Sequence, residues 1–214
     1  MTLGIAAAPL LGSHDGVGGT VQGGGVPLPL IDLDASSGAF EFHGEGLPYV
    51  QTRHFGNPEN LARAQIESAD ATLRIYEPNR RIAFGVGYGA LFDTTHLTAP
   101  PGYTSQSASG ARLELHGRFP TSAASRLELT FGGMPLMHGT LQTATGIAGA
   151  AILADLESGT QIDATAREGV ATQSRLSFNY GVRYINQTIF FEHTSAVVER
   201  NAGVLPFVEL RVRL

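Results

Sequence analysis

Glu41, His43 and Glu45 recur at every second position, a spacing that puts three potential metal ligands on one face of a strand. Same-face neighbours on a strand stand about 7 Å apart, so one ion touches at most two of them without help from another strand. The expectation is a solvated or salt-bridged strand face, with no metal and no cofactor. Asp93 and His96, two threonines apart, have the types needed to activate a water. Asp93 is expected instead to cap a long loop over 94–109 through bonds to nearby backbone. His193 and Ser195 offer a base and a nucleophile, but lying along one strand they stand too far apart to hydrogen-bond. The glycines around 16–19 and 23–25 lack the strand–helix setting of a phosphate loop. With no cysteine in 214 residues, thiol catalysis, disulfides and Cys-ligated zinc are excluded. All 14 basic residues are arginine and the net charge is −5, which argues against a nucleic-acid partner.

The elements that carry these residues are read from periodicity. Arg112, Glu114, His116 and Arg118 alternate with Leu113, Leu115, Gly117 and Phe119. Arg126 and Glu128 alternate with Leu127 and Leu129; Arg175 and Arg183 share one face opposite Leu176, Phe178, Tyr180 and Val182; Glu209 and Arg211 alternate with Leu210 and Val212. Period two marks two-faced strands. A helical period is suggested only near Asn57–Ser68, behind Pro58. The chain therefore reads as all-β.

Polar turn signals fall at 35–38, 78–79, 120–123, 158–159 and 186–187, and longer connections at 12–23, 49–62, 94–109, 138–148, 169–172 and 198–203. Short turns alternating with long connections describe an up-and-down meander. These boundaries give about twelve strands, approximately 2–11, 24–34, 39–48, 63–77, 80–93, 110–119, 124–137, 149–157, 160–168, 173–185, 188–197 and 204–214. Segments 1, 8 and 9 in that order are weakest, and losing a pair leaves ten. The prediction is a closed antiparallel transmembrane β-barrel formed by residues 1–214 as a single domain.

Two features favour a membrane barrel over a soluble sandwich. Ile82, Phe84, Val86, Tyr88, Ala90 and Phe92 make an uncharged stripe along one strand face, and only 15% of the chain is charged. The polar faces carry both signs, as a lumen lined by paired charges requires. The expected lumen residues are Glu41, His43, Glu45, Arg74, Arg112, Glu114, His116, Arg118, Arg126, Glu128, Arg175, Arg183, Glu209 and Arg211. Gly85, Gly87 and Gly89 share the inner face of their strand; they either make room for Arg and His side chains of neighbouring strands or permit curvature. Tyr76, Phe92, Phe119, Phe131, Tyr184 and Phe207 lie near strand ends, where interfacial belts are expected.

The last strand, Phe207-Val208-Glu209-Leu210-Arg211-Val212-Arg213-Leu214, resembles the C-terminal strand of bacterial outer-membrane β-barrel proteins, although members of that class usually end in Phe. The run Asp70–Tyr76 with Arg81–Gly87 is similar to a strand pair of such barrels. The resemblance covers most of the chain by pattern and rests on no catalytic motif. It implies the outer membrane, its lipid, the barrel-assembly machinery as a partner, and small ions as passengers if the lumen is open. It also implies an export signal; Met1–Leu11 has no basic start, so a mature or truncated form is expected. Some barrel proteases resemble the Asp93/His96 pair in carrying Asp and His at the outer rim, and barrel phospholipases use a lipid-facing Ser/His set. The expected function is non-enzymatic: a structural or surface-recognition barrel, or a narrow channel that the Arg rows would make anion-preferring. An outer-membrane hydrolase of lipid or peptide, and a soluble barrel binding an apolar ligand, are the alternatives.

Overall fold

The computed structural model describes the backbone of residues 1–7, 11–16, 19–26, 29–54, 61–98, 101–145, 152–171, 175–191 and 198–214, and the side chains of 1–5, 31–46, 67–94, 105–142, 158–170, 175–190 and 202–214. Every described element is a strand: β1 (Thr2–Ala7), β2 (Leu11–Gly16), β3 (Gly19–Val26), β4 (Pro29–Ser37), β5 (Phe40–His54), β6 (Leu61–Tyr76), β7 (Ile82–Thr98), β8 (Pro101–Pro120), β9 (Ser125–Met134), β10 (Met137–Thr145), β11 (Ile152–Ala171), β12 (Leu176–Phe191) and β13 (Val198–Arg213). No described helix is long and apolar enough to cross a membrane.

These pieces make ten barrel strands. β1 and β2 both pair with β13, with Thr2 opposite Arg213 and Leu11 opposite Val204. β3 and β4 follow one another against β5. β9 lies off the single path traced by the other strands but pairs with β8 and β11, the same two neighbours as β10. All pairings are antiparallel and join successive barrel strands, and the β1–β13 ladder closes the ring. A closed ring leaves no strand edge unpaired, which a bilayer demands.

The count is ten rather than twelve because two expected turns are strand interior. Ser158–Gly159 lies in β11, where Gly159 pairs with Ile189; the ladder registers only a bulge between Leu156 and Ser158. Asn186–Gln187 lies in β12, with Asn186 opposite Ile162 and Gln187 turned inward. Locally, Ser-Gly and Asn-Gln read alike as a turn or as a polar stretch of ladder; long-range pairing decides. The long connections shrink for the same reason. β7 runs to Thr98 and β8 starts at Pro101, so Asp93 is a buried strand residue and not a loop cap. Leu61–Ser68 is strand rather than helix.

Burial is inverted relative to a water-soluble protein. Phe84 is 54% exposed, Phe131 60% and Leu115 54%, while Arg74, Glu114 and Arg112 are nearly sealed. Along β7 the outward apolar stripe runs from Ile82 to Phe92, matching the roughly 9–11 residues a tilted strand needs to cross the hydrocarbon. Phe92 pairs with Ser107, and β8 continues beyond that row through Ser105 to Pro101. At 20 residues, β8 is thus about twice the membrane-crossing length, and the strands continue past the apolar band.

Termini and the turns at 38–39, 77–81 and 121–124 share one end of the barrel. Gly38 takes φ 59° in the two-residue link between β4 and β5, a conformation open to glycine. In the next turn Arg80 takes φ 56°. Glu77 organises that turn by accepting hydrogen bonds from the backbone N–H groups of Asn79 (3.2 Å) and Arg81 (3.1 Å). The Arg81 amide, then the Asn79 amide, favour the charged carboxylate and hold its pKa below the ordinary 4.5. A depressed carboxylate pKa stabilises the fold above the unfolded value and loses that effect as pH falls through the folded one. Glu77→Gln is therefore expected to lower the urea midpoint at pH 7 and to match wild type once the pH lies well below 4.5. An equal deficit at both pH values would refute the carboxylate's role.

Candidate functional site

Alternation sends the charged residues of nearly every strand inward, and ten strands leave more room there than the roughly eight that side chains just fill. Among the described residues, ten carboxylates (Asp32, Asp34, Glu41, Glu45, Asp70, Asp93, Glu114, Glu128, Asp163, Glu209) share this lumen or its mouth with seven guanidiniums (Arg74, Arg112, Arg118, Arg126, Arg167, Arg183, Arg211).

The pairs reach across the barrel as well as along it. Arg118 on β8 meets Glu41 on β5 at 2.8 Å, three barrel strands away. Arg167 on β11 meets Asp32 on β4 at 2.9 Å, and Arg183 on β12 meets Glu45 on β5, each nearly opposite in the ring. Arg74 joins Glu114 (2.5 Å) and Glu41 (3.0 Å), and the Tyr76 hydroxyl donates to the same Glu41 oxygen at 3.1 Å. Arg112 grips Asp163 with two bonds of 2.6 and 2.7 Å. Arg211 touches Asp32 (2.7 Å), Asp34 (3.1 Å) and Glu209 (3.1 Å), and Glu128 is approached by Arg126 (2.7 Å), Arg118 (3.4 Å), Arg167 (3.4 Å) and Arg211 (3.8 Å). A cavity of about 20 Å³ remains amid His43, Glu45, Arg74, Arg112, Asp163 and Arg183, room for about one water.

Of the expected lumen residues, Glu41, His43, Arg74, Arg112, Glu114, His116, Glu128, Arg183, Glu209 and Arg211 are buried, while Glu45 and Arg118 are half-buried. Arg126 is 54% exposed at the turn end through its side chain, and Arg175, just before β12, is exposed there too. Asp32, Asp34, Asp70, Asp163 and Arg167 complete the network without having been singled out. Their signal is ordinary: Asp32 and Asp34 alternate with Ile31 and Leu33, and Asp163 and Arg167 with Ile162, Ala164 and Ala166.

The inner glycines make room for neighbours. A Cβ at Gly85 would meet Thr72 (2.6 Å), Glu114 (3.2 Å) and the stem of Arg74 (3.5 Å), one at Gly89 the Met134 sulfur (2.8 Å), and one at Gly132 the Arg112 guanidinium (2.6 Å). No histidine fills these spaces. Two expected belt aromatics also face inward: Tyr76 is buried against Glu41 and His116, and Phe207 lies under Arg167, 5.6 Å from the guanidinium carbon. Tyr76 shares the inner parity of Arg74, and Phe207 that of Glu209. Phe92, Phe119, Phe131 and Tyr184 point outward.

Asp32, on a neighbouring barrel strand, brings ligand atoms of Asp32, His43 and Glu45 within 4.8 Å of one another. Arg167 and Arg211 already hold one Asp32 oxygen, Arg183 holds Glu45, and His43 Nδ1 contacts Asp34 at 2.8 Å. Three guanidiniums neutralise this set, so the residues do not fit a divalent ion. The Asp34–His43 contact is deep in the lumen, and His116 Nδ1 meets Thr130 at 2.9 Å. The His96 side chain and all of His193 and Ser195 lie outside the described residues.

No family model and no curated protein matches the chain. Solved structures do. The outer membrane protease OmpT from Escherichia coli matches at 9% identity and TM-score 0.61, covering 100% of this chain and 96% of its own. The translocator domain of the autotransporter NalP from Neisseria meningitidis matches at 11% identity and TM-score 0.50, covering 100% and 89%. The Pseudomonas putida toluene transporter TodX matches at 8% identity and TM-score 0.44, covering 100% and 89%. At these identities the likeness shows the fold: the chain resembles bacterial outer-membrane β-barrel proteins and forms a closed antiparallel barrel like theirs.

Proposed function

We propose that the chain is a non-enzymatic outer-membrane barrel with a closed lumen, a structural or surface-recognition protein rather than an open channel. The observation that carries this reading is the network of cross-barrel ion pairs, whose described residues around His43, Arg112 and Arg183 enclose a space of about 20 Å³. A plug at one depth closes a pore whatever lies above it. A channel instead needs a continuous wet path past its charged groups. The strands that continue beyond the apolar band support a role on the far side of the membrane, where β8 turns Ser105 and Ser107 outward. Insertion by the barrel-assembly machinery through β13 belongs to the same reading.

Planar-bilayer recording of refolded protein tests it. The expected result is no conductance step above the protein-free baseline. Reproducible unitary steps would overturn the closed-lumen reading in favour of the channel. In that event the surplus of carboxylates over guanidiniums among the described lumen residues predicts cation over anion selectivity, opposite in sign to what the Arg rows alone imply.

A further inference from the structure

The lipid-facing wall is not uniform. Across β8, β9, β11 and β12 the outward side chains form matched rows. In one, Leu115, Phe131, Ala164 and Tyr184 stand in register; in the next, Gly117, Leu129, Ala166 and Val182 do. In these two rows the outward residues of β11 are therefore small, and those of β9 and β12 on either side are larger. The result is an apolar groove of about 520 Å³ with Ala164 and Ala166 between Phe131 and Tyr184, within the ~300–1,000 Å³ of small-molecule sites.

A groove alone does not hold a lipid chain in a bilayer, because bulk acyl chains are as apolar as the wall. A polar anchor at its end does. The next outward residue of β11 is Glu168, two positions beyond Ala166 and three from the end of the strand. It accepts hydrogen bonds from the Tyr180 hydroxyl (2.6 Å) and, more weakly, the Thr121 hydroxyl (3.4 Å). Among the described residues no guanidinium lies within ion-pair distance of it. The inward carboxylates of the network are surrounded by arginines; this outward one, beyond the groove toward the turn end of β11, has two neutral donors among the described residues. An ionised carboxylate has about four acceptor sites, so it retains capacity for a cationic donor.

We propose that the groove binds one acyl chain of an amine-headed phospholipid, whose ammonium donates to Glu168. The ammonium supplies both the charge and the N–H donors that the carboxylate lacks. A trimethylated head supplies charge without donors, and an anionic glycerol head is repelled.

Native mass spectrometry of the full chain in mild detergent, titrated with dioleoyl phosphatidylethanolamine, phosphatidylcholine or phosphatidylglycerol, tests this. One phosphatidylethanolamine is expected to be retained at least several-fold more than either other lipid. Glu168→Gln, which keeps shape and the Tyr180 contact, is expected to erase that preference. Ala164→Phe with Ala166→Phe is expected to reduce retention of all three, whereas Ala71→Phe on the opposite wall leaves retention unchanged. Equal adducts of the three lipids on wild type, or a phosphatidylethanolamine preference that survives Glu168→Gln, would overturn the proposal. Neither result depends on whether the lumen conducts.

Discussion

Asp163→Leu is expected to cost about 3–5 kcal/mol of unfolding free energy, the range for removing one partner of a buried ion pair. Asp163 is 1% exposed and Arg112 3%. The two bonds between them span from β8 to β11, over the β9 residue Gly132, whose missing side chain leaves space for the guanidinium. Without Asp163, Arg112 retains only looser approaches to Glu114 (3.5 Å) and Asp70 (3.6 Å), while its forked donors lose their bidentate acceptor. The penalty belongs to the stranded charge rather than to the pair. Arg112→Met combined with Asp163→Leu is therefore expected to recover most of the loss, since apolar replacements of a whole buried pair are often neutral. Urea unfolding in lipid bilayers, followed by circular dichroism, measures all three variants. A single mutant within about 0.5 kcal/mol of wild type, the usual margin for surface sites, would mean that water rather than Asp163 satisfies Arg112.

Val86→Arg carries the second large effect and tests which side of the barrel meets lipid. Val86 lies near the middle of the Ile82–Phe92 stripe and is 46% exposed. In a bilayer, Arg on the lipid face near the midplane costs about 2–4 kcal/mol. In water the same substitution at a half-exposed position is expected to stay within about 0.5 kcal/mol. Ser122→Arg, in the exposed turn at 121–124, is the control and is expected to change little in either setting. A tolerated Val86→Arg in bilayers would contradict the membrane assignment of this face.

The faces of the strands were legible because membrane burial and period two impose the same pattern along most of each strand, with Glu168 outside and Ile189 and Leu205 inside as exceptions. Arg112, Glu114 and His116 are inward for the reason that Leu113 and Leu115 are outward. Where the strands turn was less legible. Ser158–Gly159 has the composition of a hairpin, and only the continuous pairing of β11 with β12 shows that it continues a strand. Asp32, Asp163 and Arg167 were equally visible as alternating residues, but their importance lies in partners far along the chain. Arg167 and Asp32 are 135 positions apart, and no local pattern specifies such a meeting. Aromatic position near a strand end was likewise insufficient; the parity of Tyr76 with Arg74 outweighs its distance from the turn.

Closure has a consequence for how the chain reaches its native state. Arg211 and Asp32 are 179 positions apart, and β1 pairs with β13, so the first strand acquires its last neighbour only when the final one arrives. Until then two raw edges are open and the acids of β4 lack Arg211. Contacts of such long sequence separation slow folding because loop entropy is lost before they form. The pairs that Arg211 makes with Asp32 and Asp34 thus act as a latch that engages last: they reward the completed ring, whereas Arg112–Asp163, between near strands, does not depend on it.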